Sequence, residues 1–351
     1  LIPLYLVSHP SGAQMAHGFT TPSLPGGSGQ MATVMLLIIG IVGTTVAPWQ
    51  LFFQQSYVVD KRITPRFIRY EKVDLWIGIA IVVLGAGALM GVTAAAFAGT
   101  KGAGNFTDAA GLAHGIAAHA GRIAGAVFAV ALLDAAIIGA FAVSLSTAYA
   151  VGDTLGLKHS LHRGFRQAKA FYAIYAGLIA VAAAIVLIPH VPLGLIIEGV
   201  QALAGVLLPA AAVFLLLLCN DRAVLGPWVN NRGTNIFTSA VITVLVALSV
   251  VLTASVLHPG ITDRQILAIV LGCVAAAVAG GGWALIRSFR AHSSVEVDRR
   301  DRETWRMPPL NMLSKPVMST PRKIGLTILR SYLAIAMVLV IVRLVQMAIG
   351  H

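Results

Sequence analysis

Eight long apolar runs, rather than any local motif, decide what this chain can become. They cover roughly 31–58, 73–99, 121–151, 168–189, 192–219, 234–257, 263–288 and 324–349. Each is long enough to cross about 30 Å of hydrocarbon, which takes about 20 helical residues at about 1.5 Å per residue. A chain that is 58% hydrophobic and only 11% charged, with a mean hydropathy of +0.85, is suited to lipid and not to a soluble core. The expected fold class is therefore an all-α integral membrane protein.

Charge supports the same boundaries. The net charge of +12 does not form a basic stripe with interleaved aromatics, so nucleic acid is not an expected partner. The basic residues sit instead in alternate loops, after the first, third, fifth and seventh spans. Those loops hold 20 of the 25 Lys and Arg residues, while the opposite loops hold only Lys101, Arg122 and Arg264. Such asymmetry orients a membrane protein with its basic loops in the cytoplasm. The expected organisation is an extracytoplasmic loop at 1–30 and a transmembrane domain at 31–288. A cytoplasmic linker follows at 289–323, and a further helix with a short tail occupies 324–351. Compact loops and strong charge bias suit a bacterial inner membrane. The partners expected are the bilayer and a transported ion, with no obligate protein partner indicated.

Catalysis finds little support. Cys219 and Cys273 have no second thiol or histidine at ligand spacing, and the spans lack paired carboxylates or a nucleophile with its base. Gly280, Gly281 and Gly282 follow no strand and are expected to serve close helix packing rather than phosphate binding. No enzyme and no cofactor is expected.

The first span carries the most demanding feature. It reads Gly43-Thr44-Thr45-Val46-Ala47-Pro48-Trp49-Gln50, and Pro48 removes the amide that would bond the carbonyl one turn back. Carbonyls near Thr44 can then face a cavity and bind a cation, as discontinuous helices do in many secondary transporters. A simple structural kink is the competing reading.

This block, followed by Phe52, Phe53 and Ser56, resembles the sixth helix of the Nramp divalent-metal transporters, whose pattern is close to G-A-T-[IV]-M-P-H. Two further blocks appear in the family's order. Ser144-Leu145-Ser146-Thr147-Ala148-Tyr149-Ala150 resembles the eighth helix. Gln201, with Leu208-Pro209 and then Asn220-Asp221-Arg222, resembles the tenth. The resemblance spans about 30–257. It implies a leucine-transporter-like inverted repeat in which two broken helices hold the metal, which is a transported substrate and not a cofactor. The family's first-helix motif, D-P-G-N, does not occur, and the chain opens at Leu1 in a polar stretch, so further sequence is expected before it.

Two departures bear on the ion. Ala47 stands where the family has Met, and Trp49 where it has His. Losing a thioether removes a preference for softer metals, and losing an imidazole removes a titrating group. Magnesium, which dehydrates reluctantly, becomes a plausible substrate beside manganese, with iron(II) within range. These substitutions resemble the Nramp-related magnesium transporter branch. The candidate ligand set is the Thr44 carbonyl, Ala47 as the residue setting cavity size, and Gln201. Trp49, Pro48 and Asp134 are candidate path residues.

Several readings stay open. Asp134 lies halfway along the third span, where a charge must be paired or wet. Glu198 shares a helix face with Gln201. His114 and His119, in the outer loop beside the third span, either gather metal at the entrance or are merely solvated, the latter being expected, and Arg330 and Arg343 are expected to reach the interface or a neighbouring helix. A sodium-coupled organic-solute symporter and a non-transporting scaffold are the alternatives to metal transport.

Overall fold

The computed structural model describes residues 5–6, 11–20, 31–97, 99–100, 108–189, 191–257 and 261–290, with isolated positions between 305 and 342. Among them every regular element is helical. In chain order these are α1 (Gly12–Thr20), α2 (Met31–Thr45), α3 (Pro48–Asp60), α4 (Ile68–Phe97), α5 (Ala109–Ala120), α6 (Arg122–Leu155), α7 (Lys169–Val186), α8 (Leu193–Cys219), α9 (Arg222–Leu225), α10 (Arg232–Leu257) and α11 (Asp263–Arg290).

Among the described residues, five stretches are long and apolar enough to cross a bilayer: Pro65–Phe97, Arg122–Leu155, Lys169–Val186, Leu193–Cys219 and Arg232–Ala254. They match the second to sixth apolar runs. The first run is two helices rather than one, and α11 contains a shorter apolar portion at Arg264–Gly280. Most of the eighth run lies outside the described residues.

The chain divides into two compact units. One comprises Leu1–Leu24 and Trp49–Ile196, the other Pro25–Pro48 and Ile197–His351. The first unit contains α4, which carries its apolar side chains outward. Tyr70 and Trp76 are 74% and 70% exposed, and Leu75, Ile77, Ile81, Val82, Val83 and Leu84 are also exposed. In a soluble protein such a surface aggregates, whereas in lipid it is the solvated surface.

Packing in this unit depends on small residues. Asp108 caps α5 by accepting the Gly111 N–H at 2.7 Å, and Gly121 closes it with φ of 93° before α6 begins. Glycine reaches that region without strain, so the chain reverses in a single residue. The resulting hairpin buries Ile116 against Val92 and Ala96 of α4 and Ala124 and Phe128 of α6. A second cluster joins Ala148 and Tyr149 of α6 to Ala168 and Phe171, with Phe53 of α3 packed on it.

In the other unit, Ala202 and Val206 of α8 pack with Val251 and Leu252 of α10, and Ile38 of α2 joins them. Three asparagines secure one end. The Asn220 and Asn235 side chains exchange bonds of 3.0 and 2.6 Å, and Asn230 donates to Asn235 at 3.1 Å. The Trp305 ring also rests on Gly226, where a β-carbon would come within 2.3 Å of it. Gly280, by contrast, meets no described atom within 4 Å of a built β-carbon, so among the described residues the close packing expected there is not found at that position.

Candidate functional site

The break expected at Pro48 is present. Helix α2 stops at Thr45, Val46 and Ala47 are non-helical, and α3 begins at Pro48. Its last turn is bound up locally: the Thr44 and Thr45 hydroxyls donate to the Ile41 carbonyl at 2.7 and 2.8 Å, and the Val46 N–H reaches the Val42 carbonyl at 3.1 Å. One turn later the pattern cannot continue. The amide facing the Thr44 carbonyl in an unbroken helix would belong to Pro48, whose nitrogen carries no hydrogen. Thr44 is exposed and Ala47 is buried. The threonine hydroxyls are turned back onto the helix.

Gln201 is brought to the same place. A methyl group built on Gly43 would lie 2.1 Å from the Gln201 carbonyl oxygen and 2.6 Å from the Gly205 nitrogen. Those two atoms are the acceptor and donor of one turn of α8. Only glycine lets the α2 backbone sit directly on that turn. One built at Gly40 would lie 4.0 Å from the Gln201 β-carbon, so the two helices run in the same direction.

Sequence reasoning missed one part of this contact. Buried Pro209 lies inside α8, four residues after Gly205. It denies Gly205 the amide donor that Pro48 denies Thr44. Two prolines thus act on touching turns of parallel helices. Two prolines four residues beyond Thr44 and Gly205 were visible in the sequence; the contact between their helices was not.

The remaining candidates are placed differently. Trp49 opens α3; its ring lies 6.0 Å from Phe53, and its carbonyl accepts the Ser146 hydroxyl at 3.1 Å. Asp134 is exposed on α6 and has no hydrogen bond or ion pair among the described residues. Glu198 is half-buried on α8, seven residues before Gly205 and so on nearly the same face. His114 and His119 are exposed on α5. Asp221 caps α9 by accepting the Ala223 N–H at 2.9 Å, a structural role.

The other end of α3 holds a polar cluster that periodicity did not flag. A cavity of about 280 Å³ there is lined by Gln55, Ser56, Asp60, Asp153, His159 and His162 among others. Asp60 is its centre. Its Oδ1 accepts the Ser160 hydroxyl at 2.5 Å, and its Oδ2 accepts the Tyr149 hydroxyl at 2.5 Å and the Leu161 N–H at 3.0 Å. Its backbone carbonyl lies 3.0 Å from His162 Nε2. Beside it, Asp153 pairs with His159 at 3.0 Å and accepts the Ser56 hydroxyl at 3.2 Å.

Partial burial raises the Asp60 carboxyl, but the hydrogen bonds from Ser160, Tyr149 and Leu161 and the charge of His162 outweigh it and hold the group below its ordinary range. The local backbone fixes where this carboxylate stands. The Ile63 N–H bonds the Val58 carbonyl at 3.1 Å and the Arg62 N–H bonds that of Val59 at 3.0 Å, with Arg62 at φ of 56°. This is a Schellman closure with arginine in the position usually given to glycine.

Among the described residues no group of three or more His, Cys, Asp or Glu is disposed to hold a metal ion. The family profile described as Natural resistance-associated macrophage protein-like matches residues 2–255. No curated protein matches the chain.

Proposed function

Because this chain belongs to the Nramp family of divalent-metal transporters, we propose that it moves magnesium or manganese, with iron(II) within range, by alternating access. The ion is held with part of its water shell at the break between α2 and α3. The Thr44 carbonyl is a direct or water-mediated ligand, the Gln201 side chain joins the shell in an occluded state, and the Gly205 carbonyl offers a further oxygen. Hard oxygens suit hard cations, and Ala47 lacks the thioether that would select softer ions. The basic ends of the helices face the cytoplasm of a bacterial cell, by the distribution of Lys and Arg.

The observation that carries this reading is the interruption of the first span at Val46 and Ala47, on a helix whose Gly43 rests on the turn from Gln201 to Gly205. Metal uptake into proteoliposomes tests it, with magnesium, manganese, calcium and cadmium compared. The Ala47→Met variant should shift preference from magnesium towards manganese and cadmium by about tenfold, roughly 1.4 kcal/mol. An unchanged ratio removes Ala47 as the selectivity determinant. Flux unaffected by amino acids and sodium separates metal transport from organic-solute symport, and no flux of any divalent ion leaves the scaffold reading.

A further inference from the structure

The polar cluster at the far end of α3 looks at first like a second metal site, with two carboxylates and two imidazoles around a cavity. Its bonding argues otherwise. Both Asp60 carboxylate oxygens are occupied by protein donors, and both Asp153 oxygens are engaged, one by His159 and one by Ser56. The groups satisfy one another, so the cluster is a fastening rather than a vacant ligand set.

What it fastens follows from register. Trp49, Phe53, Ser56 and Asp60 recur at steps of four, three and four, which is one stripe along α3. Ser146, Tyr149 and Asp153 recur at steps of three and four along α6. The stripes meet in order: the Trp49 carbonyl with Ser146 at 3.1 Å, the Phe53 ring with that of Tyr149 at 6.4 Å, and Ser56 with Asp153 at 3.2 Å. Asp60 then ties both Tyr149 of α6 and the loop at Ser160 and Leu161. A carboxylate is electrostatically misplaced at a helix C-terminus, where the carbonyl ends are already negative. Three donors to its oxygens compensate for that position, and each of them lies outside α3.

We infer that Asp60 is a positioning residue, which fastens α3 to α6 and the following loop so that the half-helix after the break travels with α6 as one piece. The chain passes from one compact unit to the other at the Pro48–Trp49 bond. This inference rests on the transport reading for its function, but the fastening itself can be tested separately.

The first test uses a chain with Cys219→Ala and Cys273→Ala, into which Ser56→Cys and Asp153→Cys are introduced and joined by a short bifunctional thiol reagent. Tethered protein should carry manganese at a rate within about twofold of the untethered form, since a tether within a rigid piece restrains nothing. Loss of transport on tethering, restored by reductant, overturns the inference, because α3 then moves against α6.

Asp60→Asn should lower the maximal rate about tenfold while half-saturation stays within about twofold, because a charged hydrogen-bond acceptor is lost far from the ligands. Ser160→Ala, which removes a single donor, should show the same split at smaller amplitude. An unchanged maximal rate in both overturns the role. Hydrogen exchange at the Leu161 amide needs no transport: Asp60→Asn should accelerate it about tenfold or more. Unchanged exchange overturns the fastening. If the parent protein carries no divalent metal, the transport reading falls while the exchange result still decides the fastening.

Discussion

The two ends of α3 are built on opposite plans. At Pro48 the backbone is deprived of a donor, and the preceding two residues leave the helix. At Asp60 each exposed group is provided for: a Schellman pair closes the backbone and three donors meet the carboxylate. An end left short of hydrogen bonds retains capacity for something that is not protein. The opposite end, already saturated, has only mechanical work left to do. A helix with both ends saturated would serve as scaffold alone, and one with neither would lack a fixed position from which to act.

The comparison breaks most visibly if the open end is closed. Pro48→Ala restores an amide opposite the Thr44 carbonyl and favours a continuous helix by about 3 kcal/mol. Metal affinity, measured by equilibrium dialysis, should fall about tenfold or more as that carbonyl is consumed. Retention of full affinity would make the break a structural kink.

The saturated end has a signature in acid. A carboxyl held below its ordinary value of 3.8 stabilises the folded chain above that pH, and the contribution is lost as pH falls through the depressed value. The thermal midpoint of the parent protein should therefore exceed that of Asp60→Asn at neutral pH. The gap should narrow below about pH 4. A gap independent of pH would mean that the charge of Asp60 is not what matters.

The smallest effect sharpens the backbone half of the comparison. Arg62 holds a left-handed conformation that costs a non-glycine residue about 1 kcal/mol. Arg62→Gly should raise stability by about that amount, less the greater entropy of glycine in the unfolded chain. Destabilisation instead would show that the arginine side chain, on the cavity wall, holds the turn together.

Much of this architecture can be read along the chain because its causes are local. Apolar runs set the helices of the second to sixth spans, and Pro48 interrupts the first within a residue of where its ring chemistry demands. The approach of the Gln201 backbone to Gly43 could not be read from the chain, since Gly43 and Gly205 show their purpose only when the two backbones touch. Asp60 is the opposite case. Its partners lie 89 to 102 residues away, and nothing in the neighbouring Lys61 or Arg62 announces them. Asp134 was conspicuous for its charge in an apolar run, yet it lies exposed on α6. A residue's oddity in sequence does not tell which side of its helix it occupies.

The outward-facing α4 has a consequence of its own. Between Leu75 and Ala96 it runs about 32 Å without a charged residue, close to the roughly 30 Å thickness of a hydrocarbon layer. Tyr70 and Trp76 stand at one end, where aromatic rings settle among headgroups. The helix is thus a ruler cut for one membrane: a thinner bilayer must be met by tilt or by stretched lipid, and its elastic strain acts directly on the protein.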